Sequence, residues 1–357
     1  MKTYIKFLVT IYSKSLLYVL FVILSLVFIL NLLTELEFFK DIKVETYFTL
    51  LLSLLNTPSM IFDMFPFVFL ITTQLFFIKL FNNKEIEIFK YSGLKNSKII
   101  IIISLLTFVI GLALITIFYN FSSNLKNFYI SLKSDYTSDG KYLAVITQNG
   151  LWIKDELNQE IIIINSSKIE PNSLINSFIT VFDKNYIVQK NIRSSKIDIS
   201  NNEWIIYNAK VFEKNNYIIK DELKLKTNFD FKRIQSLYSN LSSLNIFLLY
   251  ELRENYKKLN YSLTEIDLQI LKLISYPIYL LLMTIFSSII MLKIKKYDGV
   301  TIKIAIGLFF SVIIYYISNF FFIMGSTERL SLMASIFTPL TMLALINILM
   351  LKNINEK

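Results

Sequence analysis

Long apolar runs alternate with short polar segments at both ends of the chain, and a stretch of different texture separates the two groups. Six runs approach or exceed the roughly 20 apolar residues that an α-helix needs to cross a bilayer. The first run is long, has no small-residue cleavage site and is followed by further spans, so we interpret it as a membrane anchor and not as a signal peptide. The predicted spans are Leu16–Leu33, Ile61–Leu80, Ile99–Phe118, Leu271–Leu292, Ile304–Met324 and Leu330–Leu351.

The stretch between the third and fourth spans contains short runs in which apolar and polar residues alternate, over residues 142–228. Turn-forming residues divide these runs at 139–140, 149–150, 170–172, 183–185, 200–202 and 214–216. Many short strands with period two predict an antiparallel sandwich or jelly roll. Candidates for its apolar face are Trp152, Ile162, Ile164, Phe178, Val181, Ile205 and Tyr207. Such a face is either an ordinary core or an open trough for acyl chains.

The helical pattern returns over residues 229–262 and predicts an amphipathic connector back to the membrane. Its apolar positions are Leu244, Phe247, Leu248, Leu252 and Leu259.

The predicted fold class is therefore an α+β membrane protein with three spans, an inserted β domain and three further spans. We place the first three spans in residues 1–120, the β domain with its connector helix in 121–262, and the last three spans in 263–357. A short amphipathic helix is expected at about 82–94, between the second and third spans.

Basic residues set the orientation, because cytoplasmic segments that flank spans are enriched in Lys and Arg. With the N-terminus in the cytoplasm, the outside loops near the spans hold Lys40, Lys43 and Arg329. The net charge of +10 is then mainly a topology signal and does not indicate nucleic-acid binding. The cytoplasmic segments hold Lys2, Lys6, Lys14, Lys79, Lys84, Lys90, Lys95, Lys98, Lys293, Lys295, Lys296, Lys303, Lys352 and Lys357.

The composition argues against enzymatic chemistry. The 357 residues include no cysteine and no histidine, which removes thiolate metal sites and the commonest general base. The sequence has no G-x-x-x-x-G-K-[ST] phosphate loop, so we expect no ATP hydrolysis by this chain. A membrane hydrolase or glycosyltransferase is disfavoured for the same reasons, and we expect no metal and no cofactor.

The segment NNKEIEIFKYSGLKNSKI, residues 82–99, decides between a passive loop and a coupling element. On a helix Glu85 and Phe89 share a face, and Gly93 suits the C′ position that ends the helix. One interpretation is a solvated helix whose lysines reach the lipid headgroups. The other is a coupling helix, in which an aromatic residue and a carboxylate bind a partner ATPase.

This segment resembles the E-L-x-x-M-R-A-x-G-[VL]-S stretch of the LptF/LptG permease family. Glu85 matches the acidic residue and Gly93 the glycine, whereas Phe89 replaces the methionine and Lys90 the arginine. The run from FITVFDK to KVFEKN (178–215) and the run SLTEIDLQILKLISYPIYLLLM, with Lys272 and Pro277, are also similar to family patterns. GLWIKDE at 150–156 leans towards the LptG branch.

The resemblance implies a permease of the ABC transporter that exports lipopolysaccharide, with a periplasmic β-jellyroll-like domain. It implies a heterodimer with the sister permease LptF (or LptG), two copies of the ATPase LptB, and LptC. ATP would be bound by the partner, and Glu85, Phe89, Lys90 and Gly93 would couple to it. The alternative is a permease of another lipid or lipoprotein ABC exporter, although such permeases often have four spans.

Basic residues near the outer mouth are candidate contacts for the phosphates of lipid A. Lys40 and Lys43 follow the first span, and Lys126 and Lys133 follow the third. The alternative is that they are ordinary interfacial lysines. Asp63 lies near the outer end of the second span, where we expect an interfacial or packing role.

Overall fold

The computed structural model describes most of the chain. Predicted features that lie outside the described residues include the strand run 142–148, the turn at 149–150, Lys43 and Leu259. The described residues are 3–40, 42, 44–134, 136, 151–157, 160–170, 172–213, 216–231, 234, 240–258, 262–293, 300–352 and 354.

The chain forms two compact units. Met1–Lys126 and Thr264–Lys357 make a helical unit, and Asn127–Leu263 makes a second unit that contains the sheet. The helices are α1 (Thr3–Phe38), α2 (Thr46–Asn82), α3 (Glu85–Tyr91), α4 (Asn96–Ala113), α5 (Asn120–Ser134), α6 (Ile246–Lys258), α7 (Thr264–Lys293), α8 (Val300–Ser326) and α9 (Leu332–Leu351).

Six helices are long and apolar enough to cross a membrane, in agreement with the sequence prediction. Five of them extend beyond the predicted apolar runs; α1, for example, begins at Thr3 and ends at Phe38, whereas α9 begins two residues after the start of its predicted run. The apolar run marks the part of a helix that lipid requires, while polar residues continue the helix beyond it. The α+β membrane class, with a β domain inserted between the third and fourth spans, is confirmed.

Helices α2 and α7 form the centre of the helical unit, because 67% and 72% of the residues in an apolar 18-residue segment of each are buried. In contrast, only 17% of such a segment in α1 and 11% in α8 is buried. Hydroxyl groups join the helices in the interior: the Tyr12 hydroxyl lies 3.0 Å from the Thr107 hydroxyl and 3.3 Å from that of Thr73. The Thr284 hydroxyl donates to Thr107 over 3.2 Å. These bonds connect α1, α2, α4 and α7, and each satisfies a polar group away from water.

The third span changes its winding at its centre, where a π-helical segment, Leu114–Tyr119, connects α4 to α5. Just before this segment, Gly111 lies against Pro277 of α7. A Cβ atom at Gly111 would lie 3.0 Å from the Cα of Pro277 and 3.1 Å from its Cβ. Glycine therefore permits the close approach of α4 and α7.

The second unit contains one antiparallel sheet of six described strands in sequential order. Asp198, the last residue of β4, accepts hydrogen bonds from the hydroxyl and backbone N–H of Ser200, and these bonds lower the pKa of the Asp198 carboxyl. The strands are β1 (Leu151–Leu157), β2 (Glu160–Glu170), β3 (Ser173–Phe182), β4 (Val188–Asp198), β5 (Glu203–Glu213) and β6 (Asn216–Lys226).

A transverse row of polar residues interrupts the ladder in the middle of the sheet. Ser167, Asn176, Ser195 and Asn208 lie at consecutive gaps in the pairing, and Asn176 and Asn208 have positive φ angles of 50° and 48°. The buried face of β3, β4 and β5 changes at this row. Before the row, the buried apolar side chains of each strand lie at even-numbered positions, and after it they lie at odd-numbered positions. They change from Leu174 to Ile179 and Val181 in β3, from Ile192 to Ile197 in β4, and from Trp204 and Ile206 to Ala209 and Val211 in β5.

Buried serines beside this row satisfy backbone groups that the interrupted ladder leaves. The Ser166 hydroxyl donates to the Ile175 carbonyl over 2.8 Å, and the Ser194 hydroxyl donates to the Tyr207 carbonyl over 2.6 Å. In the sequence, the polar residues of this row and their polar neighbours look like the ends of strands. In the structure, each of them lies inside one continuous strand. The short runs at 186–190 and 196–200 therefore contribute to a single strand, β4.

The predicted apolar face mixes the two sides of the sheet. Ile162, Ile164 and Val181 are buried, as expected. Trp152 is 55% exposed and Phe178 is 39% exposed, and both lie in a cross-strand row with Arg193 on the other side. Ile205 and Tyr207 are half-buried. The prediction was wrong for Trp152 and Phe178, because residue type alone does not fix the register of a strand.

The connector helix α6 covers Ile246–Lys258, within the predicted helical stretch. Leu244 and Leu252 are buried, but Phe247 is 80% exposed.

Candidate functional site

One end of the helical unit brings together α3, the start of α1, the start of α4 and the segment after α9. The Phe7 and Phe89 rings meet edge to face, with centroids 6.1 Å apart. The Lys98 ammonium lies 5.9 Å from the centre of the Tyr4 ring, and the Asn96 side chain donates to the Ile354 carbonyl over 3.4 Å. We call this region the α3 end.

A Schellman motif ends α3. The N–H of Gly93 donates to the carbonyl of Lys90 over 3.0 Å, and the N–H of Leu94 donates to the carbonyl of Phe89 over 2.8 Å. Gly93 has a φ of +80°, which glycine adopts without steric strain. The prediction that Gly93 ends this helix at C′ is confirmed.

The faces of α3 differ from the sequence expectation. Ile86 is buried, and Phe89 is half-buried against α1. The Phe89 ring is therefore only partly accessible to a partner protein. The large hydrophobic side chains that α3 exposes are Ile88 and Tyr91, which are 61% and 91% exposed. They lie three residues apart and so share a face of the helix.

Glu85 lies at the first turn of α3, where the positive end of the helix dipole favours a carboxylate. Its Oε1 accepts a hydrogen bond from the Asn83 side chain over 3.2 Å. Its Oε2 is buried and has no hydrogen-bond partner among the described residues. Lys90 lies in the last turn and is exposed. Three of the predicted coupling residues, Glu85, Phe89 and Lys90, thus lie on one short helix, and Gly93 lies just after its end.

A second group of charged residues lies about 28 Å along α2 from its end at Asn82, near the other side of a bilayer. The Lys272 ammonium of α7 lies 3.4 Å from the Asp63 carboxylate of α2. Lys126 of α5 is half-buried and close enough to interact electrostatically with both. The sequence prediction included Lys126 but missed that Asp63 and Lys272 join it.

A cavity of about 260 Å³ opens beside the Asp63–Lys272 pair. Pro66, Ile336, Pro339 and Leu340 contribute apolar walls, and polar groups lie near the charged pair. The uncharged polar lining comes from Ser275, Tyr276, Tyr279, Tyr315, Ser318, Asn319 and Ser335. The site offers charges beside an apolar surface, an arrangement that suits an amphiphile.

The other predicted substrate residues lie elsewhere. Lys133 is buried, and its ammonium donates to the Tyr129 hydroxyl over 2.9 Å. Lys40 is exposed in the turn after α1. Lys43 lies outside the described residues. Of the two candidates described in the helical unit, Lys40 and Lys126, the structure brings Lys126 to the charged group described above.

A comparison with known protein families shows the family to which this chain belongs. Residues 6–353 match the sequence profile of the family described as "Lipopolysaccharide export system permease LptF/LptG". The chain belongs to the LptF/LptG family. No significant match to a curated protein was found. The match covers both helical groups and the β domain of this LptF/LptG protein, so the resemblance seen in the sequence is confirmed.

Proposed function

We propose that this LptF/LptG chain is a permease subunit that extracts lipopolysaccharide from the inner membrane and passes it to the periplasmic bridge. ATP hydrolysis in a partner drives extraction, and this chain binds no cofactor of its own. The family match over residues 6–353 is the observation that carries the proposal. It also argues against the alternative, an exporter of another lipid or of lipoproteins.

The proposed complex contains a sister permease, a dimer of an LptB-type ATPase and LptC. This chain is LptG-like, with LptF as its sister, on the similarity of residues 150–156 to that branch. The exposed apolar faces of α1 and α8 supply surface for a sister permease within the bilayer.

The α3 end is proposed to face the cytoplasm, with both termini, and the β domain to face the periplasm. The clustering of α3 with Tyr4, Lys98 and Ile354 supports a common side for α3 and the chain ends. The lysines of the segments at this end support the cytoplasmic side by the positive-inside rule.

The proposed ATPase contact consists of Glu85, Phe89, Lys90 and Gly93. The Glu85 carboxylate is half-buried at the start of α3, and a cationic side chain of the ATPase would pair with its accessible part. Phe89 and Gly93 fix the position of α3 through Phe7 and the helix end. Tyr91 and Ile88 add exposed apolar surface to the contact.

The proposed lipid contact on this chain consists of Lys126, together with Lys40, Lys43 and Lys133 as further basic candidates. Lys126 has the strongest support, because it shares the charged group with Lys272 beside an apolar cavity. Phosphates of lipid A would bind the cations, and acyl chains would follow the apolar walls.

Copurification tests the assembly, and Glu85→Ala tests the coupling. The tagged chain is expected to copurify with the ATPase, a second six-span permease and lipopolysaccharide. In proteoliposomes, Glu85→Ala is expected to lower ATP-driven lipid extraction about tenfold, since truncating one partner of an interfacial ion pair costs more than ~1.4 kcal/mol.

Glu87→Ala is the matched control, because Glu87 lies on the same short helix and is exposed. It is expected to keep extraction near that of the parent chain. Equal extraction by Glu85→Ala and the parent would remove Glu85 from the coupling contact. Copurification of a different lipid, without lipopolysaccharide, would favour the alternative exporter.

A further inference from the structure

A groove lies on the helical unit between α4 and α9, which both pack against α7. Its volume is about 410 Å³, within the range of ~300–1,000 Å³ that is usual for ligand sites. One stripe of α4, from Ser97 to Phe108, forms a wall of the groove and is about 16 Å long. Leu281 and Ile285 of α7, Leu351 at the end of α9 and Ile354 beyond it complete the lining.

The groove opens towards lipid along a membrane span. Ile101 and Leu105 line it, and both are 62% exposed. Its other end is at the start of α4, where the Asn96 side chain donates to the carbonyl of the buried Ile354 over 3.4 Å. Because the apolar run of α4 begins at Ile99, this end lies at the membrane surface and the rest lies within the hydrocarbon region.

A polar group lies in the buried wall of the groove. Ser104 is 4% exposed, and its hydroxyl has no hydrogen-bond partner among the residues that the structure describes. The buried hydroxyls of Thr107 and Ser288, in contrast, donate to backbone carbonyls over 3.0 Å and 2.7 Å. Ser104 lies about 12 Å along α4 from Asn96, at a depth where the bilayer supplies no water. A ligand with a hydrogen-bond acceptor at this depth would satisfy the Ser104 hydroxyl.

Three lysines surround the end of the groove at the membrane surface. Lys95 precedes α4, Lys98 is in its first turn and Lys352 follows α9, and all three are exposed. The segments 94–98 and 350–354 contain no acidic residue. This end of the groove therefore has a positive potential, which favours an anionic headgroup.

An anionic glycerophospholipid carries the matching groups in the matching order. Its phosphate would lie at the lysines, an ester carbonyl would accept from Ser104, and an acyl chain would follow the apolar lining to Phe108. Lys98 and Ser104 are about 9 Å apart along α4, a separation that the phosphate and glycerol bridge. A membrane helix of a partner fits less well, because helix contacts in membranes favour small residues, whereas Ile101, Leu105 and Phe108 are large.

We propose that this groove binds an anionic glycerophospholipid as a resident ligand that bridges α4 and α9. The groove lies at the α3 end, whereas the cavity beside Asp63 and Lys272 lies near the other side of the bilayer. The resident lipid is therefore distinct from a transported one. The proposed orientation enters only in the assignment of this lipid to the cytoplasmic leaflet.

Quenching of tryptophan fluorescence by brominated acyl chains tests the site in vesicles. The two native tryptophans are in β1 and β5, outside the spans. Leu105→Trp places a reporter at the exposed rim of the groove. Val109→Trp is the matched control, because Val109 is 54% exposed on the same helix and does not line the groove.

The full-length protein is reconstituted in phosphatidylcholine that contains a rising fraction of phosphatidylglycerol with brominated acyl chains. Half-maximal quenching of Leu105→Trp is expected at a phosphatidylglycerol fraction at least tenfold lower than that for Val109→Trp. Adding Lys98→Gln/Lys352→Gln to the Leu105→Trp protein is expected to raise the half-maximal fraction about tenfold, since each lysine attracts the anionic headgroup.

A lipid with ether bonds in place of ester bonds tests the Ser104 contact. Adding Ser104→Ala to the Leu105→Trp protein is expected to raise the half-maximal fraction of ester phosphatidylglycerol about fivefold. Brominated ether phosphatidylglycerol is expected to bind about fivefold more weakly than the ester lipid when Ser104 is present. The Ser104→Ala protein is expected to bind both lipids equally, and a preference for the ester lipid there would overturn the Ser104 contact.

Three further outcomes would overturn the resident lipid. Equal quenching curves for Leu105→Trp and Val109→Trp would show ordinary contact with the bilayer and no site. Equal quenching of Leu105→Trp by brominated phosphatidylcholine and phosphatidylglycerol would show that the lysines select no headgroup. Quenching of Val109→Trp without quenching of Leu105→Trp would show that a protein segment covers the groove. Transport is not measured in these experiments, so each of these outcomes leaves the proposed function standing.

Discussion

Two cations, Lys126 and Lys272, and one carboxylate, Asp63, lie beside an apolar cavity. Because their charges are opposite, removal of a cation and removal of the carboxylate are expected to change the binding of an anionic lipid in opposite directions. Removing a cation lowers the positive potential at the site, whereas neutralising the carboxylate raises it. The side chain of Asp63 is 59% exposed and that of Lys272 is 41% exposed, so water screens each interaction.

We predict that Lys126→Ala weakens lipopolysaccharide binding by the purified complex about fivefold, and that Asp63→Asn strengthens it by a smaller factor. Binding is measured by titration of the complex with lipopolysaccharide. Lys126→Arg retains the charge and is expected to restore most of the affinity. Weakening by Asp63→Asn equal to that by Lys126→Ala would show that the group stabilises the helices and does not bind the phosphates.

Single residues at the α3 end show which features a local sequence pattern can predict and which it cannot. Gly93 could be placed correctly, since a glycine after a short charged helix has a local cause, the positive φ of the C′ position. The exposure of Phe89 could not, because Phe7 lies 82 residues earlier and covers it only in the folded bundle. The exposure of Tyr91 was not predicted either, because which side chains of α3 stay exposed depends on the packing of the folded bundle.

At the scale of elements, the crossing of α4 and α7 depends on Gly111. We predict that Gly111→Val destabilises the protein by about 1–3 kcal/mol, since the new side chain overlaps Pro277 and forces the helices apart. The melting temperature of the purified complex is expected to fall by several degrees.

Ala113→Val is the control for this substitution. Ala113 lies two residues further along α4 and is exposed, so the same enlargement there meets no neighbouring helix. If the Gly111→Val and Ala113→Val proteins had the same melting temperature, the prediction would be contradicted, because α4 and α7 would then have room to separate at this crossing.

Strand segments were predicted, but their lengths were not. Period-two alternation divided β4 into the runs 186–190 and 196–200 and ended the run in β5 at Asn208, whereas the structure continues each strand past the polar residues. The cause is cooperative: Asn176, Ser195 and Asn208 align across three strands, and buried serines bind the backbone carbonyls beside them. An alignment between strands depends on register, which no single run of residues contains.

At the scale of the whole molecule, the arrangement of three spans, a β domain and three spans followed from hydrophobicity, because lipid imposes a length on every helix that crosses it. The hydrogen bond from the Asn228 side chain to the Asp155 carboxylate of β1, over 2.8 Å, had no such local signal. These residues are 73 positions apart and meet only in the folded β domain. Long-range polar contacts of this kind are the part of the β domain that only the structure supplies.

The orientation of the molecule gives the last prediction, which single cysteines in this cysteine-free chain can test. Tyr91→Cys introduces a thiol on the exposed face of α3, and Lys184→Cys introduces one in the exposed turn between β3 and β4. In spheroplasts, a maleimide that does not cross the inner membrane is expected to label Lys184→Cys and to leave Tyr91→Cys unlabelled. Lysis is expected to expose both thiols, which controls for burial. Labelling of Tyr91→Cys in intact spheroplasts would put α3 on the periplasmic side, where no ATP-hydrolysing partner could act on Glu85.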